Sequence, residues 1–219
     1  DFPNEMRAYT IQGDDLEAVN LGLRAGDCLI KTNVNCESLT ISGASVRLED
    51  AEINCINFNL SQGSLDLNGE KLTVSEDLMQ TKGTFKVSGG EVIIVGNYSA
   101  GTATKEADAS LIMTNENDYV YVGGDMLFNV YPNHTNLLTA GTLEIKGDFT
   151  QLTTYKYSSV YSFNCTGSHK VILSGTELQT IYFEDPSYSG FNIFENKGTN
   201  KKDFPNEMRA YTIQGDDLE

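Results

Sequence analysis

The sequence predicts an all-β chain wound into a parallel β-solenoid, three-sided and with about 19–20 residues per rung over residues 34–98. Three observations carry this. Gly63–Leu78 aligns without a gap on Gly83–Tyr98, matching glycines at 63/83 and 69/89 and apolar residues at Leu65/Phe85, Leu67/Val87, Leu72/Val92 and Val74/Ile94. The pattern continues upstream one residue tighter: Val46 and Leu48 stand over Leu65 and Leu67, Val34 and Cys36 over Ile53 and Cys55, and a further column runs Leu39, Phe58, Leu78, Tyr98. Within each period the apolar residues alternate with polar ones, in short runs separated by Gly or Asn. Alternation turns one side of a strand inward, and Gly or Asn supplies the backbone angles of a corner. A single rung cannot bury its own apolar side, but stacked rungs share one core.

Taken in order, residues 1–17 (DFPNEMRAYTIQGDDLE) recur unchanged as residues 203–219. Identity over 17 residues is not chance. Two explanations fit: one 202-residue unit of a near-identical tandem array followed by the first strands of the next unit, or an engineered copy that caps or extends the stack. Residues 1–33 are expected to form irregular first rungs and a junction strand, with Leu16, Val19, Leu21 and Leu23 in a turn of helix or an irregular rung. Residues 34–98 are the regular solenoid. Residues 99–202 continue it with inserted loops, beginning with the small, polar stretch Ser99–Ser110. Val120–Met126 and Leu143–Phe149 resume the rungs, although Gly141–Gly147 fits two sides equally well. The excess length falls in Asn129–Asn136 and Leu152–Ser162. Residues 203–219 start the next repeat or cap the stack, and the inward apolar residues of the junction are expected to be Tyr9 and Ile11 with their copies Tyr211 and Ile213. Asp1, Phe2, Asp203 and Phe204 complete the candidate assembly residues. About 8 to 10 rungs at roughly 4.8 Å give about 40–48 Å per unit.

Composition narrows the function. With 31 acidic against 15 basic residues the net charge is -16, the wrong sign for a phosphate backbone, so no nucleic acid is expected as a partner. No run is long and apolar enough for a membrane helix, and no secretory leader opens the chain, so a mature protein or an excerpt is expected, with no membrane insertion. Cys28, Cys36, Cys55 and Cys165 fit no zinc spacing, and no metal or other cofactor is expected. Cys36 and Cys55 lie one rung apart, where a disulfide is geometrically allowed; buried free thiols are the preferred reading. Polysaccharide cleavage needs carboxylates and a basic residue on one exposed side. Arginine occurs only at 7, 24, 47 and 209, none neighbouring an acidic cluster in the regular rungs, while Asp66, Glu76, Asp77, Asp125, Glu144 and Asp148 occupy outward or corner positions and read as solvated charge. The chain is therefore expected not to be an enzyme. Asn33–Asn35 and Asn54–Asn59 occupy matching rung positions and predict a side-chain hydrogen-bond ladder. Four sequons, at Asn59, Asn97, Asn133 and Asn164, are what an Asn- and Thr-rich composition produces. Tyr131, Tyr155, Tyr157 and Tyr161 are candidate ligand-binding residues, since exposed aromatics stack on sugar rings or on a partner protein.

Leu72–Gln80, Gly141–Gln151 and Ser168–Gly175 resemble segments of the long β-solenoid repeat regions of large secreted surface proteins of Gram-positive anaerobic bacteria. The resemblance spans roughly residues 39–195. It implies an extracellular, cell-surface, multi-unit architecture without catalysis. The expected function is then a structural repeat of a stalk, adhesin or fibre, joined head-to-tail to itself or to neighbouring repeats. The alternatives are a carbohydrate- or host-protein-binding module using the tyrosines and, ranked last, a polysaccharide lyase.

Overall fold

The computed structural model describes residues 9–153, 161–198 and 201–215. These contain twenty strands and no helix, and every ladder between strands is parallel. The chain is a β-solenoid of about 10 turns.

Three columns of inward residues define its sides. On the first face Leu16, Val34, Ile53, Leu72, Val92, Val120, Leu143, Val171, Phe194 and Ile213 stack one above another without a break. On the second run Leu21, Leu39, Phe58, Leu78, Tyr98, Met126, Phe149 and Ile181. The third face carries Cys28, Val46, Leu65, Phe85 and Leu111, and beside them Ile11, Ile30 and Leu48. Away from the ends these side chains are essentially solvent-free. Each contributes about 1.5–3 kcal/mol of burial, against the entropy of ordering a short strand. Toward the C-terminus the core turns aromatic. Phe149 packs on Phe163, Phe183 and Phe191 at centroid distances of 4.8, 5.2 and 5.2 Å.

Three sequence-based expectations change. Leu16–Leu23 is a strand paired with Val34–Leu48, not a turn of helix. Its alternation breaks at Val19 and Asn20 because a corner falls there: Leu16 and Ala18 face in on one side, Leu21 and Leu23 on the next. The inserted loop is also shorter than Ser99–Ser110, since Tyr98–Ala100 and Asp108–Ile112 are strands. Ala100 and Ala109 pass for loop residues by composition, yet they point into the core, where little room is left. Gly141–Gly147 belongs to the first face, with Leu143 paired between Val120 and Val171.

Candidate functional site

Two features single themselves out: a side-chain ladder along one corner, and the open edges at the two ends.

The corner joins the first and second faces. In the early rungs it is tight, with two residues between Cys55 and Phe58. From Val74 onward it holds three, as Ser75-Glu76-Asp77, Val95-Gly96-Asn97, Gly123-Gly124-Asp125 and Lys146-Gly147-Asp148. The last residue of each accepts, through its side-chain oxygen, the backbone N–H of its counterpart one rung on. Asn97 N–H donates to Asp77, Asp125 N–H to Asn97 and Asp148 N–H to Asp125, each at 2.8 Å, and Thr180 N–H donates to Asp148 at 2.7 Å. The preceding glycine is dictated by the same oxygen. A Cβ on Gly124 would lie 2.5 Å from Asn97 Oδ1 and 2.9 Å from the Gly96 carbonyl, and one on Gly147 only 2.3 Å from Asp125 Oδ1. Buried Gln179 closes the row, donating to the Ile145 and Gly147 carbonyls and accepting from Gly175 N–H and Lys202 Nζ.

Asp77 and Asp125 are exposed and Asp148 is half-buried, as solvated corner charges should be, but each is also a corner acceptor, a role that composition does not suggest. Asp66 pairs with Lys86 at 3.2 Å, Glu76 accepts from Asn57, and Glu144 accepts from Tyr119 and Ser174. Substituting Gly124→Ala is expected to cost about 1–3 kcal/mol, because backbone must move as well as a side chain. Urea unfolding would register it as a lower midpoint, and an unchanged midpoint would refute the corner packing.

The asparagine ladder forms as expected, Asn54 Nδ2 donating to Asn35 Oδ1 at 3.1 Å and Asn35 Nδ2 to Glu17 at 2.7 Å. The four cysteines are free thiols, all buried. Cys36 and Cys55 are paired rung neighbours and hydrogen-bond to each other. That bond favours the Cys36 thiolate, while the same bond and burial hold the Cys55 thiol protonated. They floor a shallow groove of about 540 Å³ with Ala18, Val19 and Ile56. Among the described residues no group of three or more His, Cys, Asp or Glu is placed to hold a metal.

At the N-terminal end Thr10–Gln12 pairs with Asp27–Lys31, and Thr32 Oγ1 donates to the carbonyls of Gly13 and Asp14, each at 3.0 Å. At the other end Lys202–Asp203 pairs with Gln179–Phe183, and Ala210–Gly215 with Phe191–Asn196. Side chains lock the second copy down. Phe204 meets Phe194 edge-on at 6.2 Å, Asn206 Nδ2 donates to the Phe183 carbonyl at 3.1 Å, and Arg209 donates to the Ser187 carbonyl at 3.2 Å and to Asn164 Oδ1. Backbone pairing alone is therefore not what docks this segment. Of the four residues expected inward, Ile11 packs against the core and Ile213 continues the first-face column but, at the open end, is 52% exposed, whereas Tyr9 is 85% and Tyr211 72% exposed. Asp1 and Phe2 lie outside the described residues.

The tyrosines are dispersed in role. Tyr131 is 47% exposed, its phenol pushed up by a hydrogen bond to the Asp108 carboxylate. Tyr161 packs edge-on against Tyr188 at 5.4 Å, and its carbonyl accepts from His134 N–H, which brings it near the Tyr131 segment. Tyr98 is buried, donating to Gln80 at 2.7 Å, while Tyr155 and Tyr157 lie outside the described residues. Comparison with protein-family models, curated proteins and solved structures finds no match, so the residues themselves carry what can be said of function.

Proposed function

We propose that this β-solenoid is a structural repeat unit, stacked end to end with like units in a stalk, adhesin or fibre on a cell surface. The observation behind the proposal is the duplicated segment. Among the described residues, the Thr10–Gln12 strand of one copy is paired along its downstream edge, to Asp27–Lys31, and the Ala210–Gly215 strand of the other along its upstream edge, to Phe191–Asn196. A strand placed between two units would use both edges at once, which removes the open edge that otherwise invites aggregation. A non-enzymatic role fits Asp66, Glu76, Asp77, Asp125, Glu144 and Asp148, whose oxygens are engaged in hydrogen bonds between rungs or an ion pair. The resemblance to bacterial surface repeats supports an extracellular setting. Glycan or host-protein binding is the second reading, resting on exposed Tyr131; Tyr161 and Tyr188 favour it less, because they pack on each other.

The test is a chain carrying two consecutive 202-residue units. Small-angle scattering should report one stiff rod, longer than the single unit by about 45 Å, from about nine rungs at roughly 4.8 Å. Two short rods about a free hinge would sink the proposal.

A further inference from the structure

The two copies of the duplicated segment are not seated on the same side of the solenoid. Ile11 pairs with Ile30 on the third face, while Ile213, the same residue of the repeat, pairs with Phe194 on the first. We infer that successive units in the stack are turned by one face, a third of a turn, about the solenoid axis. This rests on the end-to-end reading above.

The argument joins the two observed half-contacts into one. In a tandem chain the shared strand has Phe194 of one unit on its upstream side and Ile30 of the following unit on its downstream side. Both steps are the rung length of the neighbouring coils: 213 minus 194 is 19, and 30 minus 11 is 19, as are 53 minus 34 and 72 minus 53. The inward and outward senses also agree. The shared Ile lies between two inward residues, Phe194 and Ile30, both buried. Outward, the shared Thr lies between Ile193 and Leu29, and the shared Gln between Glu195 and Lys31. A slip of one residue would invert this alternation and bury the Gln.

A second observation identifies the upstream partner. The shared glycine has positive φ in both copies, 118° at Gly13 and 138° at Gly215. At Gly215 a Cβ would sit 2.3 Å from the Asn196 carbonyl oxygen, whereas at Gly13 it would meet nothing within 4 Å. Glycine is therefore required where the Phe191–Asn196 strand lies upstream, on the first face; among the described residues no strand lies upstream of Gly13.

Counting rungs gives the same offset. Nine steps along the first face lead from Leu16 to Ile213, not to the counterpart of Leu16, which lies five positions further along the sequence. One unit therefore fails to close on whole turns, and the next begins one side round. Any given face returns to the same side of the stack every third unit, about 135 Å along it at roughly 45 Å per unit.

Electron microscopy of a chain of three consecutive units tests this. Each unit would carry Lys105→Cys, at an exposed corner, labelled with a small gold cluster. The expected result is a continuous rod whose gold positions step round by a third of a turn per unit. Gold aligned along one side of a continuous rod would overturn the rotation and leave end-to-end stacking intact. Gold at irregular spacings on hinged segments would overturn the stacking itself.

Discussion

Replacing Phe149 by Ala should lower stability by about 3–5 kcal/mol, the largest loss expected from any single truncation in this core. Phe149 lies at the centre of the aromatic cluster. It touches Phe163, Phe183 and Phe191, and Phe163 in turn packs on Phe128 at 5.1 Å. Truncation opens a cavity bordered by rigid rings, each held by its own rung, so collapse around it is limited. At this chain length the melting temperature should fall by about 6 °C or more. Because rungs contact only their neighbours, the loss should be local. Hydrogen exchange should accelerate in rungs containing Phe128 to Phe194 and stay slow around Ile53 and Leu72. Uniform acceleration along the whole chain would contradict this picture.

Lowering the pH from 7 to 5 should destabilise the fold by roughly 4 kcal/mol, through two buried histidines. His134 is fully buried; its Nδ1 faces the Pro132 carbonyl at 2.8 Å, and its Nε2 accepts from Leu111 N–H at 3.3 Å. Burial depresses its pKa to about 4. His169 is buried as deeply, with neither ring nitrogen hydrogen-bonded among the described residues, and is depressed to about 3. Both folded values lie below the ordinary 6.5. The unfolded chain therefore binds protons that the folded chain cannot, from pH 6.5 down to about 4. The contribution is fully present above 6.5 and shrinks as pH falls, at about 1.4 kcal/mol per unit for each histidine. Ordinary carboxylates titrate lower, so the interval from 6.5 to 5 isolates the imidazoles. Urea midpoints at pH 7 and 5 check it, and His169→Phe should remove about half of the difference. Equal midpoints in the parent chain would refute the buried, neutral state of both rings.

How legible these features were in the sequence follows from what repeats. Between Val34 and Tyr98 each inward residue has a counterpart 19 or 20 positions away, so side, register and core are all readable there. The corner ladder was also in plain view. Asn57, Asp77, Asn97, Asp125 and Asp148 each stand one place before an inward residue of the second face, namely Phe58, Leu78, Tyr98, Met126 and Phe149. Alternation describes strands and is silent about corners, so Asp77, Asp125 and Asp148 read as surface charge alone, without the hydrogen bond each accepts from the next rung. Val19 and Asn20 disguised the first strand for the same reason. His134 and His169 gave no signal, since a polar residue inside matches the pattern expected of one outside. Identity concealed the setting of the two duplicated segments, because their neighbours, not their own residues, decide which face each one joins.

The unbroken first-face column has a mechanical consequence. Its inter-rung hydrogen bonds run along the axis of the rod, so tension applied at the two ends pulls on them lengthwise, one rung at a time. Peeling one rung of about 19 residues frees roughly 60 Å of chain for each 4.8 Å of rod lost. Under such tension the rod would pay out length in separate steps and recoil as rungs re-form on the remaining end, giving a tether that yields before it breaks.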